Sequence, residues 1–381
     1  MDRKNLFRRF NSGRVNFFLL AFIAFVLAGA VLKLTSALIL PFTIAVLLAF
    51  VLNPMVAFLG RRHISRIFAI LFSVFLIMAG LYFFAMVLFS SGRLILSLYP
   101  KYEERLTEIY ISAANFFDLS YDDQLSVIEN LWAQLGIRNR IRYLTLYFSN
   151  SFIGFLKDAF MMVLFVIFLL FEGAYFRDRI ELAFENKISE QIRKITGDVM
   201  HQVTRYLSVK FFISLGTGIV VSVGLGLVGL EFSVLWGVVQ FVLNFIPAIG
   251  SIVVGFGAGI FALLQFWPEP GPVIWVVAVM LGTNMIIGNI LEPKIMGDNL
   301  GLSPVTILLS LIIWGWLWGF AGLILAVPMT MITKILCENI TVLEPFAVLF
   351  GSRREVMRKK AERQAAQAEE GSYSEKVKTK N

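Results

Sequence analysis

The sequence predicts an all-α protein that crosses a membrane several times. Its 381 residues are 58% hydrophobic and only 16% charged, with a mean hydropathy of +0.77, whereas soluble proteins carry about 25% charged residues. Several apolar stretches reach the ~20 residues that a helix needs to cross a ~30 Å hydrocarbon core. Open sheet edges cannot satisfy their backbone groups in lipid, so strands are not expected. We expect about six full spans, two broken helical hairpins and a small helical extracytoplasmic insertion, or about eight membrane segments.

The full spans are the apolar stretches whose length matches the membrane. They cover residues 15–33, 37–52, 67–90, 152–172, 208–229 and 272–291. The first one follows a basic segment and thereby imitates a cleaved signal peptide. Its apolar run continues through Val31 and Leu32, which favours an uncleaved span.

Two further apolar segments are too long to be straight spans. Residues 232–266 and 305–336 would measure about 52 and 48 Å as helices, which exceeds the hydrocarbon thickness. Each has helix-breaking residues near its middle, N-F-I-P-A-I-G at 244–250 and W-G-W-L-W-G-F at 314–320. Proline removes a backbone donor and glycine loosens the backbone, so both segments are predicted to be helix–break–helix hairpins. Long kinked spans, or two short spans in each segment, are the alternatives.

Basic residues next to the apolar segments indicate the orientation in the membrane. They place the N-terminus, the loop at 61–66 and the C-terminal tail in the cytoplasm, with the first hairpin entering from outside and the second from inside. The net charge of +8 therefore reflects topology and not a nucleic-acid partner. Four regions follow along the chain: the first three spans at 1–90, the extracytoplasmic helical insertion at 91–151, a transport core at 152–350, and a basic, partly disordered tail at 351–381.

The membrane segments contain amides and hydroxyls but few charges. Glu172, Glu231 and Glu292 all lie at predicted span ends, so no buried carboxylate relay is visible. Amides near the breaks suit a neutral, hydroxylated solute, with Gln240 and Gln265 nearby, although polar side chains also hold helices together. The predicted substrate-binding residues are Asn244, Pro247, Gly250, Ser251, Asn284 and Asn289.

The stretch from Leu291 to Pro304 is predicted to be a shaped connector between the last full span and the second hairpin. Its prolines are expected to stop helices, and its glycines permit positive φ. The predicted hinge and connector residues, with those of the second break, are Glu292, Pro293, Gly297, Gly301, Pro304, Gly315 and Gly319. A plain cytoplasmic loop, with Glu292 and Lys294 as a surface pair, is the alternative.

No cluster of cysteine or histidine offers metal ligands, and Cys337 is the single cysteine. Neither His63 nor His201 has a partner at catalytic spacing. The sequence therefore predicts no metal, no cofactor and no enzymatic activity.

Three motifs resemble the signature of the autoinducer-2 exporter (AI-2E) family of permeases: N-F-I-P-A-I-G, L-E-P-K-I-M-G-D-N-L-G-L-S-P and W-G-W-L-W-G-F-A-G-L-I-L-A-V-P. The resemblance extends over residues 15–350. It implies a bacterial inner-membrane permease of eight segments, an oligomer and specifically a pentamer, in which the hairpin-bearing part moves like an elevator. The family's break then falls on Asn244, Pro247 and Gly250, and its connector falls within 292–304.

Members of this family are credited with exporting autoinducer-2 and others with sodium–proton antiport. The acid-poor membrane segments favour a neutral solute, although carbonyl groups at broken helices can also hold Na⁺. We therefore expect a secondary transporter that moves a small polar solute by alternating access. A sodium–proton antiporter and a non-transporting scaffold, in which 91–151 and the tail recruit partners, are the alternatives.

Overall fold

The computed structural model describes residues 12–116, 137–173, 175–184, 186–296, 301–340, 343–352, 356–358 and 360–361. Within these ranges the chain consists of helices joined by turns, with an isolated bridge between Leu302 and Gly351. The α-helices are α1 (Ser12–Leu34), α2 (Ser36–Arg61), α3 (Arg66–Phe116), α4 (Ile137–Glu172), α5 (Phe176–Ala183), α6 (Asn186–Leu227), α7 (Ser233–Leu243), α8 (Ile249–Phe266), α9 (Pro270–Thr283), α10 (Glu292–Met296), α11 (Pro304–Asn339) and α12 (Glu344–Phe350). A π-helix at Asn284–Leu291 joins α9 to α10.

Six helical stretches in the described chain are long and apolar enough to cross a membrane. They are Ser36–Arg61, Arg66–Ile95, Ile188–Leu227, Ile249–Phe266, Pro270–Met296 and Pro304–Asn339. Large apolar side chains such as Phe75, Phe212 and Phe256 lie exposed on their outer faces. Lipid tails are as apolar as these side chains, so the exposure is favourable in a bilayer. The predicted all-α polytopic class is confirmed.

Helix α3 is longer than any membrane requires. Its 51 residues extend about 76 Å at 1.5 Å per residue, and only Arg66–Ile95 is apolar enough to span. Residues 96–116 continue the same helix, and we call them the extension. The predicted start of a separate insertion at residue 91 therefore falls inside a continuous helix. The middle of that predicted insertion, at residues 117–136, lies outside the described residues.

The extension defines one side of the bundle, and the loop at residues 62–65 defines the other. Arg66 Nη2 donates to the Leu170 carbonyl over 2.8 Å, so α4 ends on the loop side. Helix α6 begins there and reaches the extension side after 42 residues. The predicted fifth span, 208–229, is therefore the second half of one unbroken helix that begins at Asn186.

Residues 233–266 form hairpin 1, which consists of α7, a break and α8. Ala248 at the break has φ of 63°. The ring of Phe232 lies 5.4 Å from that of Phe261, and that of Trp236 lies 6.1 Å from Phe261, so the two arms run antiparallel. Arg105 of the extension donates to the carbonyl of Trp267 over 3.3 Å. The base of hairpin 1 therefore lies on the extension side.

Residues 304–339 form hairpin 2, which is α11 folded at its middle. The helical backbone is interrupted at Trp318 (φ −125°, ψ 15°) and Gly319 (φ 59°, ψ −135°). Gln191 Nε2, near the start of α6, donates to the Asn339 carbonyl over 3.1 Å. The base of hairpin 2 therefore lies on the loop side, opposite the base of hairpin 1. Both predicted breaks are present.

Helical backbone continues past Pro293, where the sequence predicted a stop. The π-helix ends at Leu291 and α10 runs from Glu292 to Met296. Proline is tolerated inside membrane helices where a local π-helical adjustment satisfies the freed backbone groups again. Pro293 is the second residue of α10 and directly follows the π-helix, whose last hydrogen bond runs from the Glu292 N–H to the Ile287 carbonyl. Pro304 likewise begins α11 and does not end a helix.

Candidate functional site

The tip of hairpin 1 is held against α6 by a polar contact. Asn244 ends α7, and its Nδ2 donates to Ser214 Oγ over 3.0 Å. Ser214 is fully buried and Asn244 is half-buried. Polar contacts of this kind between membrane helices contribute about 0.6 to 2 kcal/mol each. The contact fixes the first break at a defined level of α6.

A glycine after each break allows the two arms of a hairpin to touch. A Cβ atom at Gly250 would lie 1.9 Å from the Leu243 carbonyl oxygen, and one at Gly322 would lie 1.8 Å from the Trp314 carbonyl oxygen. Real Cβ atoms do not approach oxygen so closely, so only glycine fits either position. The two hairpins thus share one turn construction although their sequences differ.

Helix α6 carries a polar stripe that faces both the hairpin tip and the connector. Tyr206, Lys210 and Ser214 recur every fourth residue, a spacing that places them on one face of the helix. All three are buried. Tyr206 packs with Met296 near the connector, while Ser214 meets hairpin 1 one helical turn beyond Lys210. The stripe therefore links the two regions that the sequence singled out.

Lys210 forms an ion pair with Glu292. The lysine side chain is 4% exposed and the carboxylate 21% exposed. The expected alternative of a Glu292–Lys294 surface pair is wrong, because the fold brings α6 against the start of α10. The described membrane region therefore contains a buried charge pair, whereas the sequence indicated almost none.

The first break also contacts hairpin 2. Ile246, between Asn244 and Pro247, is buried together with Leu311 and Ala326 from the two arms of hairpin 2. Because each of these side chains is almost inaccessible, the tip of hairpin 1 is inserted against the body of hairpin 2.

The structure brings only some of the predicted binding residues together. Gly250 is buried at the tip, whereas Pro247 and Ser251 are half-buried beside it. Asn284 and Asn289 lie on the π-helix, where Asn284 is half-buried and Asn289 exposed. A Cβ at Gly288 would lie 2.9 Å from Asn284 Oδ1, so this glycine makes room for the amide. π-Helical segments occur frequently at functional sites.

The connector and hinge residues occupy distinct backbone positions. Gly301 has φ of 57°, as expected for the connector, and Gly319 forms the second break. Gly315 is helical, and a Cβ there would lie 2.7 Å from the Leu323 side chain. Pro304 follows Ser303, whose hydroxyl accepts from the Thr306 backbone N–H over 3.1 Å. Gly297 lies outside the described residues.

A second polar cluster fastens hairpin 1 to the extension. Lys101 Nζ lies 2.6 Å from Glu231 Oε1, and the Tyr102 hydroxyl donates to the other carboxylate oxygen. Burial by itself raises the pKa of Glu231, but the hydrogen bonds from Lys101 and Tyr102 hold that pKa below its ordinary value. Burial raises the pKa of Tyr102. Gln265 completes the cluster, since its Oε1 accepts from the Glu231 backbone N–H over 2.8 Å.

Sequence reasoning missed Lys210 and Gly322. The four-residue spacing of Tyr206, Lys210 and Ser214 is a readable signal for Lys210. Gly322 follows Gly319 by three residues, but its close approach to a carbonyl group depends on the fold of the hairpin.

Most of the chain matches a known protein family. The sequence profile of the family described as "AI-2E family transporter" matches residues 19–341. The chain belongs to this family. The resemblance predicted from the hairpin and connector motifs is therefore confirmed, and the protein is a multi-pass membrane protein of a transporter family.

Several relatives in this family carry transport names. One relative is YhhT of Escherichia coli K12, which is named as a candidate transport protein. The two chains are 31% identical over 297 aligned residues, and the alignment covers 77% of this chain and 82% of YhhT. A second relative is the AI-2 transport protein TqsA of the same strain. The two chains are 34% identical over 236 aligned residues, and the alignment covers 61% of this chain and 64% of TqsA. A candidate transport protein of Borreliella burgdorferi is 40% identical over 202 residues, 53% of the chain and 56% of that protein.

Proposed function

We propose that this AI-2E family member is a secondary transporter that moves a small polar solute by alternating access, with an elevator-like movement of its hairpin-bearing part. The observation that carries the proposal is the pair of hairpins with bases on opposite sides of the bundle. Broken helices of this kind supply free backbone groups near the bilayer midplane, where many secondary transporters bind their substrates. The proposed site lies around Asn244 and Gly250, with Asn284 and Asn289 on the neighbouring π-helix.

The chemistry near the breaks favours a solute that carries hydroxyl groups. Ser214, Thr217 and Gln240 are buried beside Asn244 along the α6–α7 contact. Hydroxyl and amide groups both donate and accept hydrogen bonds, so they match an oxygen-rich neutral molecule. Autoinducer-2, which the name of the relative TqsA specifies as its cargo, is the first compound to test.

Sodium–proton antiport is the second candidate, because Lys210 and Glu292 form a buried ion pair. Intramembrane ionisable groups commonly mark ion pathways and proton relays. The sequence disfavoured a cation for lack of a buried acid, and this pair removes much of that objection. Glu292 would then bind Lys210, a proton or Na⁺ in turn, which would give the ion pair a direct role in antiport.

We further propose a bacterial inner-membrane location with both termini cytoplasmic. The loop side carries Arg61, Arg62 and Arg66, and basic loops remain in the cytoplasm. The extension and the base of hairpin 1 then face outwards. A homo-oligomer, and specifically a pentamer, is implied by the family resemblance.

Reconstitution in liposomes tests the proposal. In a first assay, purified protein should accelerate the movement of autoinducer-2 across the liposome membrane. A second assay records the Na⁺-dependent pH change inside the vesicles. Glu292→Gln should abolish the second activity if the ion pair carries it. Protein that moves neither compound would refute transport and favour a scaffold, and single-channel conductance would refute alternating access.

Orientation can be tested separately in intact cells. With Cys337 replaced by serine, a cysteine at Glu269 should react with a membrane-impermeant thiol reagent added outside, because Glu269 adjoins the base of hairpin 1. Reaction only after the cells are opened would reverse the proposed orientation.

A further inference from the structure

Two buried polar atoms in hairpin 1 have no hydrogen-bond partner in the described part of the chain. They are Trp236 Nε1, a donor, and Gln240 Oε1, an acceptor. Gln240 is only 2% exposed. In native structures the large majority of buried polar atoms are paired, because an unpaired one forfeits its hydration without compensation. Two such atoms on successive turns of one helix therefore require an explanation.

Trp236 and Gln240 lie on the same face of α7. Residues four apart on a helix have Cβ atoms about 5–6 Å apart. The Trp236 ring packs on α8, since a Cβ at Gly257 would lie 3.0 Å from it, and its centroid lies 6.1 Å from that of Phe261. Gln240 comes one turn closer to the tip, and Asn244 follows one turn later. The two residues with unpaired atoms and Asn244 therefore follow one another, one helical turn apart, towards the break of hairpin 1.

We propose that Trp236 and Gln240 form a binding site for a hydroxyl group of the transported solute. This assignment rests on the proposed function as a polar-solute transporter. One hydroxyl group can accept a hydrogen bond from Trp236 Nε1 and donate one to Gln240 Oε1, which satisfies both atoms at once. An oxygen at ordinary hydrogen-bond distance from each atom can bridge groups on successive helical turns.

The donor in this pair distinguishes a hydroxyl group from a cation. The indole N–H can only donate, so its positive end would face a bound Na⁺ and repel it. Gln240 alone would suit either ligand, but Trp236 suits only an acceptor. A water molecule has the same hydrogen-bonding capacity as a hydroxyl group. A solute hydroxyl group can therefore take the place of a water there without loss of hydrogen bonds.

The contacts on either side of Gln240 join α7 to α6. Asn244 donates to Ser214 at the tip, and Gly218 and Gly237 allow α6 and α7 to approach, because a Cβ on Gly218 would lie 2.7 Å from the Gly237 carbonyl oxygen. The site is closed in this conformation, since Gln240 is buried. Movement of hairpin 1 is therefore needed to load it.

Replacement of Gln240 by methionine gives effects of opposite sign on stability and transport. Methionine has a similar length and no polar atom, so it removes the unpaired acceptor. We expect an unchanged or higher Tm, together with a rise of about tenfold in the half-saturation concentration for autoinducer-2, equivalent to ~1.4 kcal/mol. Trp236→Phe, which keeps an aromatic ring but loses the N–H group, should change transport in the same direction.

Gln265→Met is the matched control. Both amide atoms of Gln265 are paired, because Oε1 accepts from the Glu231 N–H and Nε2 donates to the Gly229 carbonyl, each over 2.8 Å. This variant should lower Tm and leave the half-saturation concentration unchanged. The two glutamines of one hairpin therefore predict opposite results.

The outcomes separate this assignment from the proposed function. A half-saturation concentration for autoinducer-2 equal to that of wild type in both Gln240→Met and Trp236→Phe would overturn the proposed site. The two atoms would then be assigned to a structural water. Wild-type protein that moves no autoinducer-2 would overturn solute transport, and the site with it. Loss of Na⁺-dependent transport in Gln240→Met, with autoinducer-2 unaffected, would reassign the acceptor to a cation.

Discussion

Replacing Gly250 with alanine should separate the arms of hairpin 1. The new Cβ would lie 1.9 Å from the Leu243 carbonyl oxygen and 2.4 Å from its carbon. Carbon–oxygen contacts are normally at least ~3.3 Å, so the backbone must move by about 1.4 Å. Both clashing atoms belong to the main chain, so no side-chain rotation can relieve the contact.

The net effect on stability follows from two opposing contributions. Overpacking costs about 1–3 kcal/mol, and a clash with main-chain atoms belongs at the upper end. Alanine gains up to ~1 kcal/mol over glycine in helix propensity. The free energy of unfolding should therefore fall by about 1–2 kcal/mol. Transport should fall further, because the displaced tip carries Asn244 and its contact with Ser214.

Gly259→Ala supplies the control in the same helix. A Cβ at Gly259 would meet nothing within 4 Å, so this variant should gain stability from helix propensity and keep wild-type transport. Gly322→Ala repeats the clash in hairpin 2, where the Cβ would lie 1.8 Å from the Trp314 carbonyl oxygen. Thermal melting in detergent and autoinducer-2 transport in liposomes measure both effects. Wild-type melting and transport in Gly250→Ala would refute the tight turn.

Two further predictions concern the ion pairs. Lys210→Met leaves Glu292 without its partner and should lower the free energy of unfolding by about 2–3 kcal/mol, somewhat below the ~3–5 kcal/mol of fully buried pairs because Glu292 retains partial exposure. Lys101→Met, at the exposed pair, should cost less than about 1 kcal/mol in the same chemical denaturation, and equal losses would contradict the burial argument. The pKa of Glu231 is lowered in the folded state, so its contribution is complete above the ordinary glutamate pKa and disappears as pH falls through the lowered value. The difference in Tm between wild type and Glu231→Gln should therefore shrink below about pH 4, and a difference that grows at low pH would refute this.

The hairpins could be predicted because lipid imposes a length. Residues 232–266 and 305–336 exceed the hydrocarbon thickness and contain breakers, so a break near the middle of each was the physical solution. The structure places those breaks at Ala248 and Gly319. Hydropathy therefore predicts where the backbone is interrupted, because the constraint acts on each segment alone.

The ion pair and the second turn glycine could not be predicted in the same way. Lys210 lies near the start of the predicted span 208–229. A lysine at such a position can extend its charged group to the membrane interface, so the sequence alone does not indicate that it is buried. Its partner Glu292 is 82 residues away, and only the packing of α6 against α10 joins them. Gly322 is one of 29 glycines, and its role depends on a carbonyl group of the opposite arm. Both features depend on contacts between segments that the sequence alone does not bring together.

The two hairpin tips are held by different parts of the molecule, which limits how the hairpins can move. The tip of hairpin 1 is buried against hairpin 2 through Ile246, so the hairpins form one packed unit at this point. The tip of hairpin 2 instead meets α1: Trp318 Nε1 donates to the Leu32 carbonyl over 3.3 Å, and Lys33 Nζ lies 3.8 Å from the Trp316 ring centre. The tip of hairpin 2 is also buried, because Leu317 and Trp318 pack with Leu47 of α2 and Val203 of α6. An elevator-like movement that carries both hairpins, as proposed above, can keep the contact between the hairpins but must exchange this apolar cluster as well as the contacts with α1.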